Sequence, residues 1–382
     1  MKITLPDAQG RLSDYQLSGT PIAEGRLPAN PARIVYSAAH VVADPFSNAD
    51  PSGRAVIDWA KTMEFRHYLA GLGLGIAEAM DTAQRGMGLD WPGALELVRR
   101  TREELPEARV ANGCGTDHLD PASARSLDDV VRAYLEQVEA IQKLDARIIL
   151  MASRALARVA QGPADYIAVY DRVLAACDKP VILHWLGDMF DPQLAGYWGA
   201  QDFDAALETA LEVIARNQSK VDGIKISLLD KDKEIAMRRR LPAGVRMYTG
   251  DDFNYPELIE GDAQGYSHAL LGIFDPLAPA AAHAVSRLGA GDAAGFRATL
   301  DPTVPLARLI FRAPTQYYKT GVVFLAWLNG FQDHFVMLNG AQAMRPLPYF
   351  TETFRLADGC GLLRDPEKAV TRMKTLLALY GV

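Results

Sequence analysis

The sequence is poor in cysteine: Cys114, Cys177 and Cys360 are its only three, widely spaced and without a CxxC pair. Neither a disulfide framework nor a structural zinc site is predicted from that spacing. Basic runs are missing too, as is any interleaving of basic and aromatic side chains, and the net charge is −7. A general nucleic-acid binder carries the opposite balance. No apolar stretch approaches the roughly 18 residues of a membrane-spanning helix, so no membrane partner is expected. Residues 1–7 lack the apolar core of a secretion signal, which points to a cytoplasmic protein. There is no GxGxxG turn after the first apolar strand, and no HxH or HExxH pattern. What is present is an ordinary globular composition, 49% apolar and 23% charged, over 382 residues. That length suits one large α/β domain with extensions.

Apolar, β-rich runs recur between helical stretches. They cover residues 33–38, 73–80, 108–113, 146–151, 180–185, 221–227, 245–250 and, more weakly, 265–271. Between them, residues 127–144 place Val130, Val131, Tyr134, Leu135, Val138 and Ile141 on one helical face. Strand starts fall about every 35 residues, the size of one βα unit, and eight such units close a barrel. The predicted fold class is therefore α/β: a TIM (β/α)8 barrel over 31–300, an N-terminal extension over 1–30 and a C-terminal helical region over 301–382. The first thirty residues, rich in Gly, Pro, Ser and Asp, read as a loop or small hairpin laid over the body. The tail has helical periods over 321–328 and 366–380 and no clear strand, and reads as a helical appendix packed on the barrel. An open doubly wound sheet is the alternative, and it fits less well without a glycine-rich turn.

In such a barrel the chemistry sits where the strands end. Those ends carry His40, then Glu78, Asp81 and Thr82, then Asn112 and Thr116. Ser153 and Arg154, His184, Lys225, and Gly250, Asp251 and Asp252 follow, with His268 inside the eighth run. Polar residues gathered at one rim are hard to explain by packing. Lys225, within the apolar run 221–227, is the centre of this set. Desolvation disfavours an ammonium and lowers its pKa, which is the condition an amine needs to form an imine near neutral pH. The plainer alternative is a lysine solvated at the start of a loop.

These residues carry a family resemblance. Gly223-Ile224-Lys225 with Ser227 resembles the GIK-type strand of the dihydrodipicolinate synthase and N-acetylneuraminate lyase family, whose lysine forms a Schiff base with an α-keto acid. Residues 180–185 are similar to the strand that ends in Tyr-Asn in that family, about forty residues earlier. Gly250-Asp251-Asp252 resembles its Gly-Asp-Asp after strand seven, and residues 111–115 its Ala-Gly-x-Gly turn after strand three. The likeness covers roughly 34–277, and the helical tail fits the family's C-terminal helices. It points to an uncharacterised dihydrodipicolinate-synthase-like branch. Departures are as informative. The family's proton-relaying tyrosine falls on His184, and its Gly-Thr-Thr-Gly-Glu loop aligns with residues 81–85, where only Thr82 is kept. The arginine after its Tyr-Asn strand is absent, with Gly187-Asp188-Met189-Phe190 in its place.

The leading expectation is a Schiff-base lyase or aldolase acting on a small α-keto acid or oxidised sugar derivative by C–C cleavage, condensation or dehydration. Lys225 is the imine nucleophile, His184 the proton shuttle, and Thr82 assists. Asp81, Asn112, Arg85, Arg154, Gly250, Asp251 and Asp252 are the substrate-binding candidates; either arginine has the geometry to grip a carboxylate. Each has a plainer reading: His184 as a histidine bonded to backbone, the aspartates as solvated loop residues, the arginines as surface ion pairs. His118 and His268 are read as structural. No cofactor is expected beyond the covalent imine. The alternative is a lyase or isomerase using zinc or manganese held by His40, Glu78, Asp81 and His184. A non-catalytic binding barrel is the third reading. The expected partner is a small carbonyl compound, and the resemblance implies a homo-oligomer.

Overall fold

The computed structural model describes residues 1–50 and 53–382. It opens with an antiparallel hairpin of β1 (Lys2–Pro6) and β2 (Leu12–Gln16). Ile3 and Leu5 point into the core, and Tyr15 donates its hydroxyl to Asp358 Oδ2 at 2.8 Å. The hairpin is thereby pinned to the C-terminal helices.

Eight parallel strands then close a barrel: β3 (Val35–Ala38), β4 (Gly75–Glu78), β5 (Val110–Cys114), β6 (Ile148–Leu150), β7 (Val181–Leu186), β8 (Val221–Ser227), β9 (Arg246–Thr249) and β10 (His268–Leu271). They hydrogen-bond in chain order, and β10 returns to β3. Every apolar run expected to be a strand is one. The helices α1 (Trp59–Gly71), α2 (Trp91–Glu104), α3 (Leu127–Gln142), α4 (Arg154–Val159), α5 (Pro163–Ala175), α6 (Phe203–Arg216), α7 (Lys231–Arg238), α8 (Tyr255–Glu260) and α9 (Ala278–Gly289) alternate with the strands. α3 shows why such segments fold where they do. Ser126 and Asp129 form a capping box at its start, and its predicted apolar face is buried except at Leu135, which is partly exposed.

The pleat decides which strand residues face the interior. Tyr36, Ala38, Ala77, Ala111, Ile149, Ile182, Tyr248 and Leu270 form one cluster inside the barrel. Leu183, Trp185, Ile224 and Ile226 belong to another, packed with Tyr170 of α5 and Leu207 of α6. Alternation between these sets turns His184, Lys225 and Ser227 inward.

Beyond the barrel run α10 (Ala293–Leu300), α11 (Val304–Ile310), α12 (Tyr318–Leu328), α13 (Leu347–Gly359) and α14 (Pro366–Leu379). The helical tail is packed on the barrel, as expected. Every residue of α12 is buried, as a helix apolar on all sides requires. Its first turn lies against the turn Asp81–Ala83 at the rim.

Candidate active site

Lys225 sits on β8 between His184 of β7 and Tyr248 of β9, each paired with it in register. It is only 7% exposed. Among the described residues its amine has no hydrogen-bond or ion-pair partner. Burial lowers its pKa below the usual 10.5, while the charges of Asp252 and Asp81 oppose the shift. The space it occupies is kept open by Gly250, where an added Cβ would lie 2.7 Å from Lys225 Cε and 2.2 Å from Ser227 Oγ. Gly250→Ala is expected to cost about 1–3 kcal/mol by overpacking and to displace Lys225. Denaturant titration and amine-labelling rates, run together, check it; an unchanged labelling rate would remove Gly250 from the site.

The rim around the lysine is built by the loops after β4 and β9 and by the start of α12. After β4, the turn Asp81–Ala83 presents Thr82, whose Oγ1 hydrogen-bonds Tyr318 OH at 2.8 Å. Tyr318 stacks on Phe311 with ring centroids 4.3 Å apart, and burial together with the Asp81 charge holds its hydroxyl protonated. After β9, Asp251 accepts the backbone N–H groups of Phe253 and Asn254 and so shapes its own loop. Asp252 accepts the Ile273 N–H at 2.8 Å. Burial pushes its carboxyl up to about 7, with Lys225 pulling the other way. His184 shares a 3.2 Å hydrogen bond between Nε2 and Ser227 Oγ, and among the described residues its Nδ1 has no partner. Burial, then the nearby Lys225 charge, hold the imidazole well below its ordinary 6.5. At pH 7 it is neutral.

A cleft opens beside this group, lined by Asp81 and His184 among others. Arg85 and Arg154 also line it, as does Asp191. Arg85 is fully engaged: it makes a bidentate pair with Asp117 at 2.7 Å, binds Gln137, and donates to the carbonyls of Ala79 and Gly113. It braces the wall and offers a ligand little. Arg154 pairs through Nε with Asp191.

Several rim candidates lie elsewhere. Glu78 faces the helix layer, where Arg66 of α1 grips it bidentately at 2.8 and 3.0 Å and Thr101 of α2 donates at 2.7 Å. His40 is bonded through Nδ1 to Asp275 at 2.8 Å and packs on Phe65. Asn112 also faces outward, donating to the Arg147 carbonyl, and borders a pocket formed with Arg109 and Lys179. His118 bonds Gln137, and His268 accepts the Ile34 N–H, both structural contacts. The metal-ligand set of His40, Glu78, Asp81 and His184 does not gather. Among the described residues no three His, Cys, Asp or Glu side chains converge as a metal site. Two site residues were not anticipated: Tyr318 and the adjacent Lys319. A lysine inside an apolar, fully buried helical run is the same signal that singled out Lys225.

Solved structures that share the fold are dihydrodipicolinate synthases. A monomeric variant of that enzyme superposes with a TM-score of 0.65 at 16% identity, over 87% of this chain and 97% of its own. The enzyme from Thermotoga maritima gives 0.63 at 15%, over 87% and 100%. The chloride-inhibited enzyme from Acinetobacter baumannii, solved with pyruvate, gives 0.62 at 15%, over 89% and 99%. No curated protein matches the sequence. The family described as "Protein of unknown function (DUF993)" matches residues 3–382. The chain belongs to that family, and its barrel shares the fold of the dihydrodipicolinate synthases.

Proposed function

We propose that the protein is a Schiff-base-forming lyase or aldolase acting on a small α-keto acid or oxidised sugar derivative. The observation that carries this reading is the Lys225 amine: buried, without a hydrogen-bond partner among the described residues, and lowered in pKa within the barrel. The pyruvate bound in the Acinetobacter baumannii structure supports a keto acid as the compound class. Neutral Lys225 Nζ adds to the carbonyl carbon, and the carbonyl oxygen, once protonated, leaves as water. The resulting iminium draws the electron pair of an adjacent C–C or C–H bond as that bond breaks. Proton traffic runs through the Thr82–Tyr318 hydroxyl pair, with Asp81 beside it. His184, neutral in this environment and bonded to Ser227 through Nε2, is in the form that accepts a proton, as a proton shuttle requires.

Borohydride reduction in the presence of a keto-acid panel tests the imine. A mass adduct that maps to Lys225 is expected, and its absence across the panel would end the proposal. Tyr318→Phe and Thr82→Val are each expected to lower kcat by about 10²–10⁴-fold, the range for lost proton transfer. Adduct formation should persist in both. Because the two hydroxyls act as one unit, the double variant should fall little below the worse single one. Additive losses would show that they do not form a relay.

A further inference from the structure

A second buried lysine lies behind the cleft, against the residue that follows its lining residue Gly86. Lys319, on the first turn of α12, is 4% exposed. Its Nζ donates to the Gln316 carbonyl at 3.1 Å and rests 3.5 Å from Met87 Sδ, and it makes no ion pair with any described residue. Three charges act on it, those of Asp81, Arg154 and Asp191, and all three side chains line the cleft. Burial holds its pKa down at about 8. An ammonium held out of water with no counterion is costly unless a ligand completes it.

Arg154 stands in the cleft wall. Its Nε is committed to Asp191, but its two Nη groups have no hydrogen-bond partner among the described residues. They lie over Gly86, where an added Cβ would be 3.3 Å from Nη1. Arg154 over Gly86 and Lys319 against Met87 thus flank a single turn. Of the two nearby carboxylates, Asp191 is spent on Arg154, and it also accepts the Gln193 N–H at 3.1 Å. Asp81 is shared with Lys225. Among the described residues, the Lys319 ammonium and the Nη edge of Arg154 remain without a carboxylate of their own.

We propose that Lys319 and Arg154 form an oxyanion subsite that binds the carboxylate or phosphate at the far end of the carbonyl substrate. The inference rests on the imine reading for where the carbonyl lies, and it narrows the substrate to a compound with an anionic tail. Lysine supplies a point charge and arginine a planar pair of donors, a combination suited to either oxyanion.

Two pairs of probes test it by calorimetry: 2-oxoglutarate against 2-oxopentanoate, and glyceraldehyde 3-phosphate against glyceraldehyde. The native protein is expected to prefer the charged member of at least one pair by about tenfold or more, the scale of a charge-assisted hydrogen bond. The pair that shows the preference names the oxyanion. Lys319→Met should bring the two affinities of that pair together, and Lys319→Arg should restore most of the difference. If Lys319→Met does not fold, Arg154→Gln on the half-exposed side chain is expected to show the same loss. No preference in either pair, or a preference that survives both Lys319→Met and Arg154→Gln, overturns the subsite. The same pairs measured on Lys225→Met separate the two proposals. A Lys319-dependent preference without any borohydride adduct in the native protein would sink the imine and keep the subsite. Adducts on Lys225 without a preference would do the reverse.

Discussion

Lys225→Met is expected to abolish borohydride trapping and to lower kcat/KM on the order of 10⁶-fold, the scale on which enzymes respond to loss of their nucleophile. Methionine keeps the length and the apolar stem, so the barrel should unfold at a denaturant concentration no lower than the native one. Removing a buried ammonium even relieves a desolvation cost. The pH profile of trapping in the native protein gives a second, independent reading. Only the neutral amine attacks, so the rate should rise with pH. Because burial lowers the lysine pKa, the plateau should be reached below the usual 10.5. Asp252 opposes that shift, since its carboxylate stabilises the ammonium. Asp252→Asn should therefore move the whole profile to lower pH. A profile that keeps climbing to the ordinary lysine value, or that ignores Asp252, would mean that the amine is solvated and the imine mechanism is wrong.

Glu78→Ala is expected to destabilise the protein by about 3–5 kcal/mol, the cost of stripping one partner from a buried ion pair. It would leave the Arg66 guanidinium between α1 and β4 without its carboxylate, and Thr101 without its acceptor. The denaturant midpoint should fall at constant slope, while activity per folded molecule stays near native, because Glu78 faces the helices. Replacing both partners by apolar residues, Arg66→Met with Glu78→Leu, should recover much of the loss. This pair of variants also decides between two views of the rim. Were Glu78 a ligand or catalytic acid, activity would vanish in every variant however well it folded.

The positions of Glu78 and Asn112 show where reading the chain reached its end. Both lie at strand ends, and the rim could be listed from the sequence. Which of those residues face the interior could not. A parallel barrel strand is buried on both faces and is apolar throughout, so no alternation of polar and apolar residues marks the inner side. Parity emerged only from the closed sheet, in which Ala77 and Ala111 point inward and their neighbours Glu78 and Asn112 point out. The same parity argument, once available, places Lys225, His184 and Ser227 together. Gly250, a substrate-contact candidate by its place in the sequence, leaves room for Lys225 Cε in the structure. Tyr318 and Lys319 are not legible as site residues, because they lie some ninety residues after Lys225 in a tail without strands, and helical periodicity says nothing about which end of a barrel a helix caps.

The order and number of the strands were set by local chemistry, since eight apolar β-rich runs at βα spacing can bury their backbone only by pairing with one another. The one costly amine in those runs was visible for the same reason: a lysine among Ile224 and Ile226 breaks an apolar pattern. Closure of the sheet and docking of α12 decided the rest. They brought Tyr318 to Thr82 and Lys319 to Met87 across more than two hundred residues of chain. Contacts of that range arise from packing a whole surface at once, and no local sequence pattern encodes them.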